Sequence, residues 1–344
     1  MSTSLAITQS LEAVARWVED RQYRGYDPGD GLTSFLRPLT FGNIFAERLL
    51  QQAVWKSPIN IRPIVGVRPL DSTKGRGFMA WGYLLRYKTD GDRDHLEKAL
   101  RCLEWLESHR EPNQPGSCWG NHFDFTTRSG RMKAHTPTIV WSGLIGQSVL
   151  EAYEQTRDAR WLELAEGICT WILALPKEVT PTGACLSYTA VFQNSVHNSN
   201  LLGAAVLART WTHSPKPEYL HVAREAVRYT CTRQRPDGSW WYGENPKYHW
   251  IDNFHTAYNL DSLKRYTDFT GDRSFQSNID VGYRYFKDTF FEASGCPRYY
   301  HNRTQPVDIQ CAAQAIDTLS YFSEYDPDAL RLARLVANWT IKNM

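Results

Sequence analysis

The 344 residues contain no C-x-x-C pair, no histidine cluster at ligand spacing, no basic run, and no apolar stretch near the roughly 18 residues of a membrane span. Each absence excludes something. The seven cysteines (Cys102, Cys118, Cys169, Cys185, Cys231, Cys296, Cys311) stand far apart, which argues against a disulfide framework and structural zinc. They read as reduced core thiols, and no metal or cofactor is expected. Thirty-nine basic against thirty-seven acidic residues leave a net charge of +2, without the electrostatic footprint of a nucleic-acid binder. The opening "MSTSLAITQSLEAVARWVEDRQ" lacks a basic segment followed by an apolar one. A cytoplasmic protein that does not insert into membranes is the expectation.

What is present is apolar and aromatic material, 42% and 13% of the chain, enough for a large core. Much of it repeats. Five stretches align without gaps from Thr73, Ile139, His197, Asp252 and Asp308. Fourteen residues on, each carries an aromatic: Tyr87, Tyr153, Trp211, Tyr266 and Phe322. Seven on stand Ala80, Gly146, Ala204, Asn259 and Ala315, on the same face of a 3.6-residue helix. After each helix comes a turn with a capping residue, at Asp92, Asp158, Ser214, Asp272 and Asp326, and then a second, amphipathic helix. A sixth hairpin is read over residues 5–22 and 36–55. Inner helices buried by neighbours on both sides, with half-exposed outer helices, close most naturally into a ring, so the expected fold is an all-α (α/α)6 toroid forming one domain over residues 1–344.

The unusual residues fall on the longer stretches between hairpins: Tyr26, Asp27 and Asp30; Trp119, His122, Asp124, Arg128 and His135; Tyr188, His197 and Asn200; and Trp240, Trp241, Tyr242, Asp252 and His255. Loops on a rigid scaffold carry function. The alignment makes His197, Asp252 and Asp308 equivalent, each at the start of an inner helix. An Asp there has a plain capping explanation. With His255 one turn on and Trp250 beside it, Asp252 is also a candidate general acid or base. Trp240 and Trp241 are read as plugs between hairpins or as platforms for a sugar ring. Asp124 requires partners, with Arg128 or His122 as candidates.

Two resemblances rest on these residues. The six-hairpin pattern with its aromatic, acidic rim resembles the six-hairpin glycosidases, polysaccharide lyases and uronate epimerases. "CWGNHFDF", "VHNSNLLGAAVLAR", "DGSWWYGE", "IDNFHTAYNLDSL" and "VDIQCAAQAI" resemble a bacterial family from exopolysaccharide biosynthesis clusters, departing from its usual pattern at His122 and Gln310. These likenesses imply a carbohydrate-active protein with an oligo- or polysaccharide partner and, for the second, other polysaccharide-synthesis proteins as partners. "QRPDGSWW" also resembles an element of the terpene-cyclase and prenyltransferase toroids, but the acidic motif of the first and the zinc site of the second are missing.

Hydrolysis is placed first because acidic candidates are the more numerous: Asp252, Asp124 and Asp308, with His255. Packed helices lie roughly 8–10 Å apart. Equivalent Asp252 and Asp308 would then approach the roughly 6.5–9.5 Å carboxyl separation of inverting hydrolysis. A lyase or C5-epimerase would instead use His197, His255 or Tyr188 as base and Arg128 or Arg76 to neutralise a uronate. A noncatalytic sugar-binding subunit is the third reading. Expected sugar contacts are Trp119, His122, Arg128, Tyr188, His197, Asn200, Trp240, Trp241, Tyr242 and Asn259.

Overall fold

A computed structural model describes residues 3–127 and 130–344. Arg128 therefore lies outside the described residues. Twelve helices follow in chain order: α1 Thr3–Asp20, α2 Ile44–Lys56, α3 Thr73–Asp90, α4 Arg93–Ser108, α5 Ile139–Thr156, α6 Ala159–Ala174, α7 His197–Trp211, α8 Pro217–Cys231, α9 Asn253–Thr270, α10 Gln276–Thr289, α11 Ile309–Tyr321 and α12 Ala329–Asn343. Three short antiparallel pairs interrupt them: β1 Arg24–Gly25 with β2 Leu70–Asp71, β3 Phe125–Thr127 with β4 Gly130–Met132, and β5 Lys177–Thr180 with β6 Gly183–Leu186. The residues group into two compact units, 16–168 and 3–15 with 169–344, whose boundaries fall inside α1 and α6.

In the unit of residues 169–344, α7, α9 and α11 are successive neighbours, and each packs against the helix that follows it. Sequence dictates which helix is inner. From His197 to Thr210 every residue of α7 is buried, because apolar and small side chains surround its whole circumference. The outer helix α10, which packs on α9, buries only one face, through Ile279, Gly282, Tyr283 and Phe286. In the unit of residues 16–168, α3 packs on α4 and α5, and α2 on β3 and the turns Asp30–Thr33 and Arg37–Thr40. The α3–α5 approach is close: a Cβ on Gly77 would stand 2.8 Å from Ile145 Cγ1. All seven cysteines are buried.

The caps refine the repeat. Ser72, Thr138, Asp252 and Asp308 are the N-caps of α3, α5, α9 and α11, each accepting a first-turn N–H. At α7 the cap is Val196, with no side-chain acceptor. His197 is thus the first helical residue and stands one position beyond Asp252 and Asp308, not level with them. Three outer helices start later than their sequence caps imply. Pro217 opens α8, three residues past Ser214, since its fixed φ suits the first helical position. Asp272 and Asp326 close local turns onto Ser274 N (2.9 Å) and Asp328 N (3.0 Å) before α10 and α12 begin.

Candidate active site

The crossing from α8 to α9 gathers most of the singled-out residues. Gly238 turns the chain at φ +92°, where a Cβ would meet Val281 O at 2.6 Å. Trp240 then enters the core: it is 2% exposed, and its Nε1 donates to Thr230 O at 3.0 Å. Its ring fits against Gly282, where any Cβ would lie 2.7 Å from it. Of its two readings, the plug is the one this environment matches. Trp241 is half-buried and stacks on His249, with ring centres 4.9 Å apart. Tyr242 stacks on Trp250 at 4.4 Å, and its backbone bonds Trp250 O and His197 N. The aromatics of this stretch chiefly pack one another and lock the start of α9.

What they lock is a carboxylate–imidazole pair. Asp252 is 2% exposed and serves as acceptor three times over: Oδ1 takes His255 N at 3.0 Å, while Oδ2 takes Trp250 Nε1 at 2.8 Å and bonds His255 Nδ1 at 2.7 Å. The group presented outward is therefore His255, whose Nε2 has no hydrogen-bond partner among the described residues. The pair borders a tight crevice, closed to a water-sized sphere, that is also lined by Asn198, Trp240, Trp241, Tyr242 and Asn259. The amide oxygens of Asn198 and Asn259 are buried there without a hydrogen-bond partner. Burial raises the phenol of Tyr242 well above its ordinary range, and nearby Tyr188 adds to the rise. Tyr188 itself is raised by burial.

His197 and Asn200 belong to a different, structural network. His197 is 1% exposed, bonding Glu244 Oε1 through Nε2 (2.8 Å) and Thr230 through Nδ1 (3.3 Å). Asn200 bonds Leu186 N, Ala226 O and Thr230. Asp308 is half-buried and caps α11 through Gln310 N at 2.7 Å.

In the other unit, Trp119 is fully buried, its Nε1 donating to Leu106 O at 2.8 Å, a core position. Among the described residues Asp124 finds its partners in Arg37 and Ala134 N rather than in His122, while the Arg128 alternative lies outside them. Burial pushes its carboxyl up, but the Ala134 N–H and the Arg37 guanidinium outweigh this and hold it below the usual carboxylate range. Arg37 and Arg131 also share Glu47, so Asp124 belongs to an ion-pair clamp joining α2 to the β3–β4 hairpin. His122 stands 5.6 Å from His135 and 6.4 Å from His109, ring centre to ring centre, and burial with these neighbours pushes its imidazole down. No group of three or more His, Cys, Asp or Glu is arranged to hold a metal among the described residues.

Two features escaped the sequence reading. Asp261, 1% exposed on α9, accepts Gln314 Nε2 at 2.8 Å and Thr318 Oγ1 at 3.0 Å across α11. Burial pushes its carboxyl up to about 8 against the pull of Arg265, and Asp317 adds to the rise. The signal was present, since Asp261 and Asp317 each stand nine residues beyond equivalent caps, Asp252 and Asp308. The second is Lys74, whose ammonium lies 5.2 Å from the Trp141 ring centre and is pushed below the usual lysine range by burial, opposed by Asp27. Nothing in local sequence marks it.

No family model and no curated protein matches the sequence. Solved structures do. The cellobiose 2-epimerase of Bacillus thermoamylovorans matches with a TM-score of 0.60 at 10% identity, covering 81% of this chain and 79% of that one. An unsaturated glucuronyl hydrolase specific for heparin matches at 0.60 with 15% identity, covering 82% and 76%. An inactive variant of the α-1,6-mannanase of Salegentibacter, with two adjacent aspartates replaced by asparagine and α-1,6-mannotriose bound, matches at 0.56 with 15% identity, covering 76% and 75%. At such identities the likeness shows the fold, the (α/α)6 toroid that the hairpin repeat predicts.

Proposed function

We propose that this chain is a carbohydrate-active enzyme that moves a proton at a sugar carbon, as an epimerase or lyase does, with His255 as the acid–base group and Asp252 orienting it. One observation carries the choice: both oxygens of Asp252 are engaged by N–H groups of Trp250 and His255, leaving the imidazole as the group on offer. A carboxylate on Nδ1 fixes the tautomer and sets Nε2 as the proton acceptor. The fold neighbours, an epimerase, a glucuronyl hydrolase and a mannanase, make a saccharide the natural substrate class. Exopolysaccharide oligosaccharides remain part of this reading through the sequence likeness alone. The mannanase variant lost two adjacent aspartates, whereas this sequence has no Asp-Asp pair anywhere.

Incubation with cellobiose and with oligouronates in D2O tests the proposal. Deuterium should enter the sugar at one carbon, or unsaturated uronate absorbance should appear, and His255→Gln should abolish it. Asp252→Asn keeps an acceptor for His255 N but disturbs the Nδ1 partnership, and should lower kcat/KM by roughly 10²-fold or more. New reducing ends without deuterium uptake would favour hydrolysis.

A further inference from the structure

In the unit of residues 16–168, a cleft of about 310 Å³ opens beside β1 and the first turns of α3, and no residue of the proposed acid–base pair lines it. Its walls carry Trp17, Tyr26 and Phe78, which are 52%, 39% and 39% exposed, with the guanidinium groups of Arg21 and Arg62 lying 4.1 and 5.2 Å from the ring centres of Trp17 and Tyr26. Polar groups converge between them. Asn121 is 8% exposed and lines the cleft, yet its side-chain amide makes no hydrogen bond to any described residue. Asp27 Oδ1 accepts the Gly29 N–H at 2.7 Å, and Oδ2 has no donor among the described residues. The neighbouring Asp30, by contrast, is fully used, both oxygens being held by Arg62 Nε at 2.9–3.0 Å.

From this arrangement we infer a binding site for a neutral hexose unit of an oligosaccharide, separate in its residues from the acid–base pair. Ring faces stack on the C–H faces of a pyranose, and a buried amide with a free carboxylate oxygen takes its hydroxyls. The volume, at the lower end of ligand pockets, suits one sugar ring. A polar, hydroxyl-rich ligand is favoured over an apolar one because an apolar group over the nearly buried Asn121 amide would cut it off from water without replacing the hydrogen bonds. The inference does not depend on the role of His255.

Gly25 supplies the test, since a Cβ there meets nothing within 4 Å and a side chain can fill the cleft without displacing protein. Cellobiose and α-1,6-mannotriose are titrated calorimetrically into wild type, Gly25→Leu, Asn121→Ala and His255→Gln, with Tm measured for each. Binding to wild type should weaken at least tenfold in Gly25→Leu and Asn121→Ala at unchanged Tm and persist in His255→Gln. Should either variant fold poorly, Asp27→Asn replaces it, because Asn retains the acceptor for Gly29. If neither sugar binds wild type at up to about 10 mM, the site is overturned. It is overturned equally if the cleft variants bind as wild type does; loss confined to His255→Gln would then leave the acid–base reading standing alone.

Discussion

Adjacent tryptophans at 240 and 241 look alike in sequence and differ in environment. Trp240 lies in the core with its Nε1 paired, so Trp240→Ala should cost roughly 3–5 kcal/mol. Trp241 is half-buried at the pocket edge, and Trp241→Ala should cost far less stability while weakening substrate binding. Chemical denaturation paired with titration separates the two; equal stability losses would mean that Trp241 is a plug as well. The same difference of surroundings explains which residues were readable. Asp252 and His255 were legible because capping and i,i+3 spacing are local. The burial of Trp119, His197 and Asn200 was not, since it depends on partners such as Leu106, Thr230 and Ala226 set by tertiary packing.

Helices were the most legible elements. Periodicity located five hairpins, because inner and outer helices bury different fractions of their circumference, and the errors fell at their ends. The gapless alignment set Thr73, Ile139 and His197, first residues of their helices, level with the caps Asp252 and Asp308, a slip of one that the helical period does not expose. The turns at Asp272 and Asp326 bonded their own chain two residues on, a local alternative to starting a helix. Packing of α3 on α5 gives an element-level prediction. Gly77→Val should destabilise by about 1–3 kcal/mol or more, since Ile145 already occupies the space of a Cβ. A variant that unfolds at the same urea midpoint as wild type would show that these helices yield.

For the whole molecule, pH stability follows from three carboxyls of two signs. Asp124 and Glu244 are held below their ordinary ranges, Glu244 chiefly by its bond to His197. Their contributions are present above the unfolded values of about 3.9 and 4.3 and are lost as pH falls through the lower folded values. The double variant Asp124→Asn, Glu244→Gln should show a lower Tm at pH 7 and a flatter acid limb. Asp261 acts in the opposite sense. Its folded carboxyl keeps a proton up to about 8, so its stabilising effect is complete below about pH 3.9 and declines as pH rises towards 8. Asp261→Asn should raise Tm at pH 7 by several degrees and flatten that decline. A Tm lowered equally at pH 4 and pH 7 would show that the folded carboxyl is ionised.

Helix α7, buried along all of His197–Thr210, carries one more consequence. Amide hydrogens in such a segment meet solvent only when the surrounding helices come apart, so their exchange with deuterium should be among the slowest in the chain and should report cooperative opening rather than local fraying. A ligand held near Asp252 and His255, where the Tyr242 carbonyl is bonded to the first amide of α7, would then slow that exchange in proportion to its occupancy. The interior of this helix thus offers a clock for saccharide binding that needs no turnover.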